Sequence, residues 1–186
     1  MRVNDFLDLV AHETHKQLPA RWRTFRTWKR YTLIQFFYSR RAIHYEVWVR
    51  GGNIHALEIG LHCEADAATN RAILEKLDVC LFEIKDALGD RIEAEQWTKS
   101  WTRVHELMPY EKLDDATARA CARRLAKMIA VLEPILRTER SPQRSPDART
   151  ERSPQRSPDP RTERSPQRSP DPPHATPAPR VPTTRV

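Results

Sequence analysis

Residues 43–64 read IHYEVWVRGGNIHALEIGLHCE, and the alternation inside this stretch decides the architecture. Ile43, Tyr45, Val47 and Val49 fall on one side of an extended chain, and His44, Glu46, Trp48 and Arg50 on the other. After Gly51-Gly52-Asn53, Leu57, Ile59, Leu61 and Cys63 alternate in the same way with Glu58, Gly60, His62 and Glu64. Successive side chains of a strand point to opposite faces, so each run has one apolar and one polar face. Both apolar faces must meet one core, which fixes the parity of the pairing. A three-residue turn at Gly51-Gly52-Asn53 pairs Arg50 with Ile54 and sets Glu46 opposite Glu58. Like charges directly opposite destabilise a sheet unless a cation or proton lies between them. The outer face is therefore expected to carry His44, Glu46, Trp48, Glu58, Gly60, His62 and Glu64, with Glu46, Glu58 and His62 as candidate metal ligands.

Working outward, residues 31–38 (YTLIQFFY) form a third β-branched and aromatic run behind Ser39-Arg40-Arg41-Ala42. Together the three runs predict an antiparallel meander. Residues 4–18 place Phe6, Leu7, Val10, Ala11 and Leu18 along one face of a helix capped by Asn4 or Asp5 and stopped by Pro19. Residues 66–88 carry Ile73, Leu77, Cys80, Leu81, Ile84 and Leu88 at helical spacing, and Gly89 stands where a left-handed cap belongs. Residues 91–97 and 101–107 read as a hairpin about Thr98-Lys99-Ser100. A final helix begins at Asp114 or Asp115 and sets Ala118, Cys121, Leu125, Met128, Leu132 and Ile135 in one stripe. That stripe fits either a helix packed across the sheet or a homodimer seam through 114–136. The class is α+β: helix, three-stranded antiparallel meander, helix, β-hairpin, C-terminal helix, in a single domain spanning 1–136.

The rest of the 186-residue chain is a different material. Of its 15 prolines 12 lie after residue 136, as do 11 of the 32 basic and 6 of the 25 acidic residues, so the tail supplies +5 of the net +7. RTERSPQRSPD occurs at 137–147, 149–159 and 161–171, a tandem repeat of period 12 across 137–172. A segment without aliphatic or aromatic side chains in its repeats cannot offset the entropy of ordering, so 137–186 is expected to be a disordered Arg/Ser/Pro-rich tail. Phosphorylation at its Ser-Pro pairs would reverse its charge.

Residues 21–31, RWRTFRTWKRY, interleave bases with rings. Arg21, Trp22, Arg23, Arg26, Trp28, Lys29 and Arg30 are accordingly the candidate nucleic-acid contacts, the cations meeting phosphate and the rings stacking on bases. The competing arrangement sends the rings into the core and pairs the cations with the chain's own acids. His12-Glu13-Thr14-His15 spaces its histidines three apart, where the zinc-protease helix signature needs four. Four glycines, Gly51, Gly52, Gly60 and Gly89, make no phosphate-binding loop. Cys63, Cys80 and Cys121 are odd in number and form no Cys-x-x-Cys pair, which together with acidic residues throughout the first twenty positions leads to an expectation of reduced thiols and a cytoplasmic location. No stretch is apolar enough for a membrane span.

The order helix, three strands, helix, strand resembles in outline the core of restriction-type nucleases of the PD-(D/E)xK group. That resemblance implies a carboxylate on the second strand and a Glu-x-Lys on the third holding Mg²⁺ or Mn²⁺; Glu46 and Glu58 match the carboxylates as candidate catalytic residues, while Gly60 stands at the lysine position. With the second hairpin the order is also similar to secretion-chaperone folds, which implies a dimeric binder of other proteins. ALEIGLHCE followed by NRAILEKLDVCLFEIKDALGDRIEAEQWTKSWTRVHE resembles a small uncharacterised bacterial domain associated with restriction-modification surroundings. The resulting expectation is a non-catalytic module without a cofactor, acting on nucleic acid or a nucleic-acid-processing partner. A degenerate metal-dependent phosphodiesterase and a dimeric chaperone are the alternatives.

Overall fold

The computed structural model describes residues 1–138; of the tail expected to be disordered from 137, Arg137 instead ends the last helix with Thr138 as its cap, and 139–186 lie outside the described residues. The fold is α+β, with four α-helices and one six-stranded antiparallel sheet. Helix α1 (Val3–Gln17) leads through a short 3-10 turn (Ala20–Trp22) into strands β1 (Arg26–Arg30), β2 (Leu33–Phe37), β3 (Ile43–Arg50) and β4 (Ala56–Cys63). Helices α2 (Ala67–Asp78) and α3 (Leu81–Leu88) follow, then β5 (Glu93–Gln96), β6 (Thr102–Pro109) and α4 (Asp115–Arg137). Strand order across the sheet is β1-β2-β3-β4-β6-β5, so the second hairpin joins the first four strands through β6.

Four expectations are corrected by this arrangement. The meander has a fourth strand, because half of the basic aromatic run is β1, which turns through Tyr31-Thr32 into β2. The single helix expected over 66–88 is two, broken at Val79 and Cys80. Asp66 caps α2 by accepting from the Thr69 amide at 2.9 Å, and Gly89 takes the expected positive φ of 92°, but with an extended ψ of 162°. The first helix begins at Val3 with no side-chain cap, rather than at Asn4 or Asp5.

The fourth correction concerns register. Parity is as expected, but β3 and β4 are joined by five residues, 51–55, not three; Arg50 therefore pairs with Ala56, Glu46 with Gly60, and Trp48 with Glu58. Glu46 and Glu58 are not opposed. The loop uses positive φ at Gly52 (65°) and at His55 (43°), whose ring stacks on Tyr110 with centroids 4.4 Å apart. That stacking anchors the loop to the far end of β6 and delays the start of β4.

All four helices contribute to one core against a single face of the sheet, where Ile34, Phe36, Tyr45, Val47, Leu57, Ile59, Leu61 and Val104 are buried. The stripe of α4 is spent in that core: Ala118, Cys121, Leu125, Met128 and Leu132 are all fully buried within the chain. Of the two arrangements the stripe allowed, a helix packed across the sheet or a homodimer seam through 114–136, the first is the one seen. Polar ties fix the helix: Arg124 donates to Glu106 on β6, and the Tyr45 hydroxyl donates to Glu133 at 3.1 Å.

At Gly60 the neighbouring strand β6 leaves no room for a side chain. A Cβ there would meet His105 Cβ at 2.6 Å and the Val104 carbonyl oxygen at 2.9 Å. Gly60→Ala is expected to destabilise the domain by about 1–3 kcal/mol through overpacking, read from urea denaturation, with strand separation absorbing the clash.

Candidate functional site

The other face of the sheet carries no helix among the described residues. Register places Arg26, Trp28 and Arg30 of β1, Gln35 of β2, His44, Glu46 and Trp48 of β3, Glu58 and His62 of β4, and Arg103 and His105 of β6 on this one surface. Its floor is nevertheless closed to water. Glu58 and His62 are each 1% exposed, and Gln35, His44, Glu46 and His105 are also buried. A buried polar group needs a partner, so the partners define what the face is.

Glu58 has two. Arg50 on β3 and Arg103 on β6 each donate to it at 2.7 Å, one to each carboxylate oxygen. Their guanidinium groups lie over tryptophans, Arg50 on Trp48 at 4.6 Å and Arg103 on Trp97 at 5.0 Å. Arg103 also binds Glu95 on the edge strand at 2.6 Å. Glu46 sits in a separate network: Gln35 Nε2 donates to Glu46 at 3.1 Å and to His44 Nε2 at 2.9 Å. Burial works against the ionised Glu46 carboxylate, but His44 at 3.5 Å, the nearby His62 and the hydrogen bond from Gln35 outweigh it and hold its pKa below the ordinary value.

The histidines are set by geometry. His44 Nδ1 donates to the Arg41 carbonyl oxygen at 2.7 Å, which leaves its lone pair on Nε2. His62 pairs across the strands with His44, and the two rings stack 5.7 Å apart. Nε2 of His62 has no hydrogen-bond partner, and Trp97 packs edge-on against the ring at 5.6 Å. Burial first, with His44 and Arg103 adding to it, pushes the His62 pKa down to about 4 against the opposing pull of Glu46 and Glu58. His105 is shifted the same way, again chiefly by burial.

Above this floor runs a groove of about 470 Å³, bordered by Trp28, Trp48 and Trp97 with Arg30 and Arg41. Arg41 lies over the Trp28 ring at 4.3 Å and Arg30 over Tyr31 at 4.9 Å. Neither arginine has a carboxylate partner among the described residues, although Glu64 and Glu46 also line the groove.

The seven basic and aromatic residues singled out in 21–31 divide. Arg26, Trp28 and Arg30 reach the open face. Trp22 is buried in the core with Arg137 over its ring at 4.6 Å. Arg23 donates to the Leu18 carbonyl, Lys29 pairs with Asp8 of α1 at 2.5 Å, and Arg21 lies over Trp22 away from the face. The run thus divides between the two sides of β1: Trp22, Arg23 and Lys29 are engaged by the chain itself, and Arg26, Trp28 and Arg30 stand on the open face. Arg103, His105, Glu95 and Trp97 escaped sequence reading, because their alternation in the second hairpin says nothing about which strand that hairpin joins.

The Mg²⁺ arrangement implied by the nuclease resemblance does not fit. Glu46 and Glu58 lie at staggered positions, Glu58 is neutralised by two arginines, and the position two residues after it is Gly60. Among the described residues two groups close up enough to share an ion, His44-His62-Glu64 and Glu93-Glu95-His105; neither includes Glu46 or Glu58. No helix among the described residues is long and apolar enough to cross a membrane. No family model, curated protein or solved structure matches this chain.

Two predictions follow from the partners on the floor. Arg103→Ala leaves the buried Glu58 carboxylate with one cation and is expected to cost about 3 kcal/mol in urea denaturation; Arg50→Ala, at a more exposed position, costs less. In metal-free protein the unfolded chain protonates His62 at the ordinary 6.5, which the native state resists down to about 4. Stability is therefore full above pH 6.5 and falls as pH drops toward 4, by up to roughly 3 kcal/mol from this group, and His62→Gln flattens that dependence.

Proposed function

We propose that this protein is a non-catalytic module that binds single-stranded nucleic acid on the helix-free face of its sheet. The observation that carries the reading is the groove where Trp28, Trp48 and Trp97 stand beside Arg30 and Arg41, two cations with no carboxylate partner among the described residues. Indole rings offer stacking planes to any unpaired base, and guanidinium groups answer the phosphates that follow. The ionised Glu46 on the groove floor supplies an acceptor for base edges. Binding rather than cleavage follows from the state of Glu58, tied to two arginines and so withdrawn from metal or water. The net charge of +7 favours an anionic partner at long range.

Fluorescence anisotropy of labelled single strands and duplexes against the full chain, in chelator and across a salt series, tests the proposal. Single strands should bind more tightly than duplex. Trp28→Ala should cost about 1–3 kcal/mol, and Arg30→Ala/Arg41→Ala should weaken binding to all sequences and reduce the salt slope by about 2. Equal binding by wild type and both variants places any affinity in the tail and overturns the assignment to this face.

A further inference from the structure

We propose that His44, His62 and Glu64 form a site for one divalent transition-metal ion, of the Zn²⁺ or Co²⁺ type, beneath the groove on the open face. One ring nitrogen from each histidine and one carboxylate oxygen of Glu64 already lie within 4.8 Å of one another. Ligand atoms around a tetrahedral ion with bonds of about 2.0 Å are spaced by ~3.3 Å, so small side-chain rotations close the set. His62 Nε2 is the independent sign of a missing partner: it is a buried nitrogen with no hydrogen bond, the nearest Glu58 oxygen lying 3.6 Å away, on a ring 1% exposed. An unmade bond at such an atom costs folding free energy, which an ion would restore.

The second histidine is oriented for the same task. Its Nδ1 hydrogen goes to the Arg41 carbonyl oxygen, and its Nε2 lone pair faces Gln35 and, at 3.5 Å, Glu46. A backbone carbonyl holding the far nitrogen of a ligand imidazole is the usual outer support of a metal site. The ion displaces the Gln35 amide from that lone pair and brings Glu46 within reach as a fourth donor. Glu64 is half-buried and lines the groove, which gives the ion its way in. Two imidazoles and a carboxylate favour Zn²⁺, Co²⁺, Ni²⁺ or Fe²⁺ over Mg²⁺ and Ca²⁺, which prefer an all-oxygen set. The second group, Glu93-Glu95-His105, is weaker on the same criteria, since Glu93 is largely exposed and Glu95 is held by Arg103.

The test uses the full chain, stripped with chelator, without nucleic acid, so that it stands or falls apart from the nucleic-acid proposal. Titration with Co²⁺ alone is followed by its visible absorption and by quenching of Trp97, which touches the His62 ring; Zn²⁺ competition follows. The expected result is one ion per chain, not displaced by excess Mg²⁺, with affinity at least tenfold lower in His62→Ala and in Glu64→Gln. Glu64→Gln, at the end of its strand, keeps the test decisive where His62→Ala fails to fold. His12→Ala/His15→Ala and His105→Ala should leave binding unchanged. Absence of saturable binding, displacement by Mg²⁺, or binding retained in Glu64→Gln overturns the proposal.

Discussion

A carboxylate shut away from water in the middle of the sheet needs its charge answered, and Glu58 has that answer from both neighbouring strands. Arg50 comes from β3 and Arg103 from β6, so a single side chain ties the first four strands to the second hairpin. Hydrogen bonds to a charged group contribute about 1.5–3 kcal/mol each. Removing the ions from water costs several kcal/mol apiece, so the triad gains little net stability. What it supplies is placement. Each guanidinium, held by Glu58, also lies over a tryptophan ring, and those tryptophans line the groove.

The same constraint explains why β4 is buried along its whole length although helices cover only one side of the sheet. On the core side Leu57, Ile59, Leu61 and Cys63 meet apolar neighbours. On the open side there is no second layer among the described residues, and there the polar residues shield one another under arginine-on-ring lids. Gly60 belongs to this scheme. It lies between Glu46 and His105 in the pairing, and its missing side chain lets His105 sit directly over the strand.

Alternation in 43–64 made the two faces legible, because parity survives a slip of two residues; the membership of the polar face is therefore the one read from sequence. The register itself was not legible. It depends on His55 adopting φ of 43° and stacking on Tyr110, a residue 55 positions away in the chain. β1 was hidden for a related reason. As an edge strand its core-side positions are Thr27 and Lys29, the latter answering Asp8, so the apolar alternation that announces a strand is missing. The final helix was read in full, because an apolar stripe at helical spacing needs only a surface to cover. Which surface, the sheet or a second chain, was decided by tertiary packing around Leu125 and Ile129.

The open face thus has two layers with different physical jobs. The floor, made of Gln35, His44, Glu46, Glu58, His62 and His105, is buried; its carboxylates, Gln35 and His44 are tied by hydrogen bonds and ion pairs, while His62 Nε2 and both ring nitrogens of His105 have no hydrogen-bond partner. In the rim Trp28 and Trp48 are partly buried and Arg30, Arg41 and Trp97 exposed, and it is held by stacking rather than by ion pairs across most of its length. Stacks of this kind contribute about 0.5–1 kcal/mol where water reaches them. A ring or phosphate entering the groove can exchange with such a stack at small cost, whereas displacing Arg50 or Arg103 exposes Glu58 to a loss several times larger. Under the proposed binding of nucleic acid, a preference for planar, anionic ligands follows from the rim, and the seat beneath them is the buried floor.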